Sequence, residues 1–318
     1  DAEDIRWRLN LRAAEILAPG DAAAYDTYDR FCTSYDQAIY RAWYAGTEDG
    51  SNQVLGYWLL EEVRHPGAFG RVFRANNPQG KTVAVKILHE GIRRDNERLQ
   101  SFRRGTRSLR ILTENSLDGM VRYHEACEIP AMVVMDWVKG PNLKQAVESR
   151  HIVDWRGLLR VGAELAKIIR GAHKLPQRVL HRDIRPPNIM LEDRYTDDTN
   201  WRLVVLDFDL SWHKDAIEKS IFSVTSAAGY LAPEQLHRQM GVSTRNAAVD
   251  SFGVGMTLFY MVAGRDPVPN EHTRSDWAPT VMNVCRQYSE SLWKCVPFRM
   301  ARLILKATKD QQAERCDM

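Results

Sequence analysis

The feature that most constrains the fold is the order of four short segments along the chain. GAFGRV (residues 67–72) contains two glycines, and VAVK (residues 83–86) follows it after a turn. HRDIRPPN (residues 181–188) and DFD (residues 207–209) come much later and are separated by a hydrophobic, strand-forming stretch. The first two segments therefore predict a glycine loop inside the first hairpin of a sheet, and the last two predict polar residues on either side of a second hairpin.

Around these segments the sequence divides into a small β-rich half and a larger helical half. Residues 71–74, 82–88 and 131–135 alternate or are rich in β-branched side chains, which predicts strands. Residues 94–112 predict a charged helix, and residues 158–173 predict an amphipathic one. The pattern indicates an α+β protein.

An N-terminal extension precedes the sheet. Residues 1–56 predict helices, with aromatic residues at three- and four-residue spacing within residues 25–43. This aromatic stripe packs on the body of the same protein in one interpretation and docks a regulatory partner or adjoining domain in the other. Residues 46–52 predict a linker.

Composition and charge exclude several classes of protein. A net charge of +3 over 318 residues disfavours nucleic-acid binding, and the local basic cluster around Arg93, Arg94, Arg103 and Arg104 is interpreted as a solvated helix face. The five cysteines lack a CxxC pair, which favours reduced thiols in the cytoplasm over a zinc site. The most apolar run, residues 252–264, is shorter than the roughly 18 residues that span a bilayer, and it predicts a buried helix. The opening DAED, without Met or a signal peptide, indicates a piece of a longer protein.

Two further segments, APE (residues 232–234) and DSFGVG (residues 250–255), complete the series. In this order the segments resemble the protein-kinase family over about residues 57–315, and their sequence pattern is most similar to that of bacterial serine/threonine kinases. The resemblance implies a bilobal protein-kinase fold of the α+β class, in which a small antiparallel sheet lobe with one helix precedes a larger helical lobe. The implied domains are a helical N-terminal extension (1–56), an N-lobe with the hinge (57–138) and a C-lobe (139–318).

The resemblance also assigns roles in ATP- and Mg²⁺-dependent phosphoryl transfer, which depends on positioning and charge neutralisation. Lys86 resembles the lysine that binds the α- and β-phosphates of ATP. Asn188 and Asp207 resemble the ligands of two magnesium ions, which prefer hard oxygen donors. Asp183 resembles the catalytic base that orients the substrate hydroxyl, and Arg185 stands where a lysine usually lies beside the γ-phosphate.

The adenine pocket follows from the same resemblance. Val72 and Ala84 resemble its roof, and Met190 resembles its floor. Met135 falls at the back of the pocket, and Asp136 to Val138 form the hinge whose backbone would bond the base. The alternative for each apolar residue is ordinary core packing.

Two departures from the family pattern affect the phosphate site. His65 takes the place of the first loop glycine and Pro66 follows it, while Gly67 and Gly70, which allow the closest approach to phosphate, remain. The loop is therefore expected to be stiffened but functional. Gly105 falls where a glutamate normally pairs with the strand lysine, so activity is expected to be low or to depend on a partner.

The stretch from Asp207 to Glu234 is expected to act as an activation segment. In it, Asp209 replaces a glycine, which is a minor departure, and an insertion at residues 194–200 is expected to be a surface loop. Arg182 resembles an arginine that pairs with phosphate on such a segment. Glu234 and Arg315 resemble a buried structural ion pair. The candidate phosphorylation sites are Ser211, Ser220, Ser223, Thr225 and Ser226.

Three functions fit these residues. The leading interpretation is a serine/threonine-specific protein kinase that uses ATP and Mg²⁺, acts on a protein substrate and autophosphorylates. The second is a pseudokinase, a nucleotide-binding or scaffolding module, which Gly105 and His65 favour. The third is a small-molecule phosphotransferase with a kinase-like fold, but such enzymes generally lack the long segment that ends in APE.

Overall fold

The computed structural model describes residues 53–63, 70–88, 95–128, 131–193, 201–216, 228–236 and 242–317. Several predictions lie outside these ranges: the extension up to residue 52 with its aromatic stripe, the loop containing His65 and Gly67, the insertion, and the segment serines beyond Ser211. The chain divides into two compact units. The first contains Val121–Trp137 and the described residues up to Arg110, and the second contains Ile111–Met120 and the described residues from Val138 onward.

The first unit is built on one six-stranded sheet whose spatial order is β1-β2-β3-β4-β6-β5, with every pairing antiparallel. The sheet begins four residues before the expected boundary at residue 57, inside the predicted extension. The three predicted strands are confirmed as parts of β3, β4 and β6. The strands are β1 (Gln53–Val54), β2 (Tyr57–Glu62), β3 (Gly70–Asn76), β4 (Thr82–Leu88), β5 (Tyr123–Glu128) and β6 (Ala131–Asp136).

One face of this sheet carries the core of the first unit. Val83, Val85 and Ile87 of β4 alternate along the strand and join a cluster of buried residues that includes Met132 and Val134 of β6. Because successive side chains point to opposite faces of a sheet, the residues between them lie on the other face. Burial of each large apolar side chain in this cluster contributes about 1.5–3 kcal/mol.

The helix of the first unit is α1 (Asn96–Glu114), which confirms the helix predicted over residues 94–112. The interpretation of Arg103 and Arg104 as a solvated face is wrong, because these side chains are 1% and 0% exposed. Arg104 Nη2 donates to Ser101 Oγ at 2.9 Å. A guanidinium is buried only where its hydrogen bonds are satisfied. The positive charge of these residues suggested exposure to solvent, but this part of α1 is packed inside the protein.

The second unit is mainly helical. Its longest helix, α3, begins at the N-cap Asp154, whose Oδ1 accepts a hydrogen bond from the Gly157 amide at 2.8 Å. Such a cap contributes about 1 kcal/mol. The amphipathic helix predicted over residues 158–173 is thereby confirmed. The helices are α2 (Leu143–Glu148), α3 (Trp155–Lys174), α4 (Pro233–Leu236), α5 (Ala248–Ala263), α6 (Trp277–Gln287) and α7 (Cys295–Ala307), with 3₁₀ turns at Pro186–Asn188, Glu271–Thr273 and Gln312–Glu314.

Helix α5 is buried from Ala248 to Val262 and ends at Gly264, whose φ of 66° is left-handed. The buried helix predicted over residues 252–264 is therefore confirmed. In the ranges that the structure describes, the helices lack the combination of length and apolarity needed to cross a bilayer.

A short antiparallel hairpin positions the polar residues of the second unit. Its strands are β7 (Ile189–Glu192) and β8 (Arg202–Val205), and Ile189 lies opposite Val205. The residue before β7 is therefore adjacent to the residue after β8. The Leu206 amide donates to the Asn188 carbonyl at 2.8 Å, so the two predicted magnesium ligands start from neighbouring backbone.

Candidate active site

Four predicted nucleotide-binding residues share one face of the first unit's sheet. Val72 lies opposite Lys86, and Ala84 lies opposite Met135 and two residues before Lys86. Strand alternation therefore places all four on the face away from the core cluster. Lys86 is only 6% exposed. Its ammonium is thus largely removed from water, an environment that favours an anionic partner.

Gly70 has a structural function in the sheet. It lies opposite Leu88, and a Cβ at residue 70 would stand 2.3 Å from the carbonyl oxygen of Ile87. No side chain fits at that distance from a backbone atom. The sheet therefore requires a glycine here even without a phosphate, so the presence of Gly70 is weaker support for a phosphate loop than the sequence suggested.

Asp136 is the last residue of β6 and the first of the predicted hinge. Its amide donates to the Arg122 carbonyl at 2.9 Å, so this N–H is committed within the first unit. Its Oδ1 lies 2.7 Å from His124 Nε2 and 3.4 Å from Lys81 Nζ. An adenine base that binds to this hinge would therefore have to hydrogen-bond to backbone groups other than the Asp136 amide.

The remaining predicted pocket residues belong to the second unit. Val138 is buried, and Met190 is half-buried in β7, opposite Val204. A backbone bridge also joins Met190 to Asn142, the N-cap of α2. Backbone pairing fixes the position of Met190, and the contact of both residues with adenine stays a prediction.

Asp183 is the centre of a polar cluster in the second unit. Asn188 Nδ2 donates to the Asp183 carbonyl at 2.9 Å and to Asp183 Oδ2 at 3.0 Å. Arg185 Nε lies 3.3 Å from both carboxylate oxygens. The 3₁₀ turn that starts at Pro186 brings Asn188 back to Asp183, and its proline is already fixed in a helical φ.

The environment of Asp183 favours a role for its carboxylate as a proton acceptor. Burial raises the pKa of Asp183, and the charge of Asp207 raises it further, whereas Arg185, His181 and the Asn188 hydrogen bond lower it. The net shift is upward, which makes the carboxylate a stronger base. Within the described part of the chain, Asp183 Oδ1 accepts no hydrogen bond, although the charged Arg185 Nε lies 3.3 Å from it. The atom is buried in this conformation, so a substrate hydroxyl would have to displace the groups that cover it.

Asp250, the first residue of the DSFGVG segment, holds this loop, a role that the sequence did not predict. Asp250 of α5 accepts hydrogen bonds from the His181 amide at 2.9 Å and the Arg182 amide at 2.6 Å, and His173 Nε2 lies 2.7 Å from its Oδ2. Burial opposes ionisation of Asp250, but the His173 hydrogen bond, the charges of His173 and His181 and the Arg182 amide outweigh it and lower the pKa. The available signal was an acid alone among the apolar residues of α5.

Arg182 connects the Asp183 loop to the end of the activation segment. Its φ of 68° is left-handed, which is uncommon outside glycine and needs support from the surrounding structure. Gln235 provides that support, because its Nε2 donates to the Arg182 carbonyl at 2.8 Å while its Oε1 accepts from the Ala232 amide at 3.0 Å. Sequence reasoning did not identify Gln235 either.

The predicted role of Arg182 as a phosphate partner stays a prediction, because residues 217–227 lie outside the described ranges. Ser211 is described and is completely buried. A buried hydroxyl is not accessible to a modifying active site, so Ser211 is removed from the candidate phosphorylation sites in this conformation.

The DFD segment tolerates the loss of its glycine. The left-handed φ in this turn, 62°, belongs to Asp207, and Asp209 is not among the described residues with positive φ. An aspartate at residue 209 therefore imposes no backbone strain. Phe208 is buried, with its ring centroid 4.7 Å from that of His181. The expectation that this departure is minor agrees with the geometry.

The ion pair predicted between Glu234 and Arg315 is confirmed. Arg315 Nη1 and Nη2 donate to the two Glu234 oxygens at 2.7 and 2.8 Å, and both side chains are buried. Arg315 also donates to the Ala248 carbonyl at 3.1 Å, and Gln312 Nε2 donates to Glu234 Oε1 at 2.7 Å. The pair therefore fixes the end of the activation segment against the start of α5.

Comparison with known proteins agrees with this arrangement. The model of the protein kinase domain matches residues 66–318. The probable serine/threonine-protein kinase pknA2 of Bifidobacterium longum is 27% identical over 80% of this chain and 33% of its own length. Serine/threonine-protein kinase PrkC of Bacillus subtilis is 28% identical over 80% of this chain and 38% of its own length. The chain thus spans little more than a third of these relatives.

Solved structures show the same fold. The kinase domain of Mycobacterium tuberculosis PknI superposes with a TM-score of 0.57 at 20% identity, over 82% of this chain and 90% of that one. At this identity the likeness concerns the fold alone.

Proposed function

Since the chain belongs to the protein kinase family, we propose that it transfers the γ-phosphoryl group of ATP to serine or threonine hydroxyls of protein substrates, including its own chain. The observation that carries this proposal is the Asp183 cluster, in which a buried carboxylate keeps one oxygen without a hydrogen bond. The names of the bacterial relatives support the choice of serine and threonine.

In this proposal each residue of the cluster has a separate task. Asp183 Oδ1 accepts the hydrogen bond of the substrate hydroxyl and takes its proton as the new P–O bond forms and the bond between the γ-phosphorus and the departing ADP oxygen breaks. Asn188 fixes the orientation of the carboxylate through Oδ2. Arg185, whose guanidinium already faces Asp183, supplies positive charge where the transferred group carries negative charge.

The residues also fit a magnesium ion. Because the Asn188 amide nitrogen is used by Asp183, its remaining polar atom is the oxygen, which is a hard ligand of the kind that magnesium prefers. Asp207 supplies a carboxylate from the adjacent backbone. Asn188 and Asp207 would hold the ion, which, when bound, neutralises phosphate charge. The raised pKa of Asp183 has the Asp207 charge as one cause, and a bound cation would offset it.

Nucleotide binding is proposed for the sheet face of the first unit. Lys86 would neutralise phosphate oxygens, while Val72, Ala84 and Met135 would supply apolar contact for the adenine ring. Their common face and the burial of Lys86 support this assignment.

The pseudokinase is the second candidate, and Gly105 is the observation that favours it. Gly105 lies near the middle of α1 and has no side chain to pair with a lysine. A chain of this kind would bind nucleotide or a partner without transferring phosphate.

Incubation with radiolabelled ATP and Mg²⁺ tests the proposal. We expect the unmodified chain to label itself and a generic basic protein. Asp183→Asn should lower the rate about a hundredfold to ten-thousandfold, the usual contribution of a positioned base. Asp276→Asn, which changes an exposed acid of the same unit whose side chain makes no capping hydrogen bond among the described residues, should label normally. Absence of label in the unmodified chain, together with a melting temperature that rises with ATP, would instead support the pseudokinase.

A further inference from the structure

Four large apolar side chains lie exposed on one part of the second unit. Leu292 is 100% exposed and Trp293 is 71% exposed, and both precede α7 directly. Phe298 and Leu303, within α7, are 51% and 45% exposed. Isolated exposed apolar residues are common, but several in one short stretch, two of them as exposed as Leu292 and Trp293, point to an interaction site.

The exposed side of α7 combines these apolar residues with positive charge. At 100° per residue the exposed positions fall on one side of the helix and the buried positions on the other. The buried positions are Met300, Ala301, Ile304 and Ala307. The exposed basic residues are Lys294, Arg299, Arg302 and Lys306. We name these four basic residues and the four apolar ones the α7 surface.

The turn that presents Leu292 and Trp293 is ordered by hydrogen bonds. The Val296 amide donates to the Trp293 carbonyl at 2.9 Å, and the Trp293 amide donates to Ser291 Oγ at 3.2 Å. The Arg302 guanidinium lies 5.8 Å from the Phe298 ring centroid. The exposed apolar side chains of Leu292 and Trp293 therefore project from a hydrogen-bonded turn.

The charge of this stretch has a single sign. From Ser291 to Ala307 the sequence contains four basic residues and no acidic one. The flanking acids are Glu290 before the stretch and Asp310 after it. The partner of this surface must therefore be anionic, and it must also accept protruding apolar side chains.

We propose that the α7 surface binds the surface of a bilayer containing anionic lipids. Lipid headgroups supply the negative charge, and the acyl boundary accepts Leu, Phe and Trp side chains without any preformed pocket. Lysine and arginine lie along the same interface with their alkyl stems on apolar surface and their charges among the headgroups. An acidic peptide is a poorer fit, because side chains as exposed as Leu292 and Trp293 project outward instead of lining a groove.

Co-sedimentation with vesicles tests this proposal, which does not depend on phosphoryl transfer. The probes are vesicles of phosphatidylcholine alone and of phosphatidylcholine with phosphatidylglycerol at about three to one. We expect the chain to sediment with the anionic vesicles and to remain in solution with the neutral ones. Leu292→Ser/Trp293→Ser should weaken binding about tenfold or more by removing apolar contact, and Arg299→Gln/Arg302→Gln should do the same by removing charge.

Matched controls come from α3 and its preceding residues. Val153→Ser/Leu159→Ser changes two exposed apolar residues, and Arg156→Gln/Arg170→Gln changes two exposed arginines. Both should bind anionic vesicles like the unmodified chain, and circular dichroism should show the same fold in all variants. Equal binding to neutral vesicles, no binding to either kind, or retention of binding in the α7 variants would each overturn the proposal. Binding to polyglutamate that requires Trp293, without vesicle binding, would assign the surface to an acidic protein.

Discussion

Each unit contains a bidentate arginine–glutamate pair, and the two pairs differ mainly in burial. In the first unit Arg71 donates to Glu62 at 2.8 and 2.6 Å, with the side chains 41% and 35% exposed. In the second unit Arg315 donates to Glu234 at 2.7 and 2.8 Å, with side chains 0% and 1% exposed. Water screens the first pair, whereas the second must be satisfied entirely by protein.

The predicted site residues of the two units also differ in what holds them in place. In the first unit strand register alone places Val72, Ala84 and Lys86 on one face. In the second unit Asp183 and its loop are held by polar groups that are distant in sequence, such as Asp250. The departures at His65 and Gly105 occur before residue 138, whereas the predicted base and magnesium ligands Asp183, Asn188 and Asp207 are all present after it.

The largest expected effect is on the buried pair. Glu234→Leu leaves the Arg315 charge buried without its carboxylate, which should lower the free energy of unfolding by about 3–5 kcal/mol. Urea denaturation followed by circular dichroism measures this. The double variant Glu234→Leu/Arg315→Met should recover most of the loss, since no charge remains buried. A double variant as unstable as the single one would show that the pair stabilises the fold by more than mutual neutralisation.

The second effect concerns the anchor of the Asp183 loop. Asp250→Ala leaves the amides of His181 and Arg182 without their acceptor, so the free energy of unfolding should fall by about 2–4 kcal/mol. Phosphoryl transfer measured with radiolabelled ATP should also fall, because Asp183 loses its fixed position. Asp276→Asn, at an exposed site, serves as the control. Normal labelling by Asp250→Ala would contradict the positioning role.

The pH dependence of this anchor has a defined sign. The pKa of Asp250 is lower in the folded protein than its ordinary value, so its contribution to stability is present above that ordinary value. The contribution is lost as the pH falls through the lowered pKa. The difference in stability between the unmodified chain and Asp250→Ala should therefore shrink in acid, which urea denaturation at successive pH values would show.

A smaller effect tests the sheet of the first unit. Gly70→Ala places a methyl group 2.3 Å from the Ile87 carbonyl, and relief of this contact should cost about 1–3 kcal/mol. Gly80→Ala is the matched control: no atom lies within 4 Å of its added Cβ, although its φ of 79° is left-handed, a strain of about 1 kcal/mol. Thermal unfolding compares the two. Equal losses would show that the close contact at residue 70 relaxes.

The smallest effect is expected at the exposed pair. Arg71→Gln should lower the free energy of unfolding by about 0.2–1 kcal/mol, because the pair is largely screened by water. Added salt should reduce this difference further. A loss of unfolding free energy comparable to that of Glu234→Leu would contradict the idea that burial determines how much such a pair contributes to stability.

Some of these features could be predicted from the sequence because they depend on local pattern. Alternation predicted the strands that became β3, β4 and β6, and helical periodicity predicted α1 and α3. The order of the motifs implied the Glu234–Arg315 pair, which the structure confirms. The grouping of Asp183, Arg185 and Asn188 also follows from their closeness in sequence.

The remaining features depend on contacts between distant parts of the chain. The arginines of α1 have the composition of a solvated face, yet Arg103 and Arg104 are buried. Gly70 was assigned to phosphate approach, but the carbonyl of Ile87 on the neighbouring strand requires it. The role of Asp250 could not be read from α5 alone, because the amides that it binds lie 68 and 69 residues away.

Short motifs and periodicity are enough to indicate the family, the strands β3, β4 and β6, the helices α1, α3 and α5, and the residue types available for phosphoryl transfer. Which charges are buried, which oxygen of Asp183 lacks a hydrogen bond and which acid holds its loop became known from the folded structure. Burial and hydrogen bonding depend on what the fold brings against each group, because a buried polar group is stable only where another residue supplies its partner.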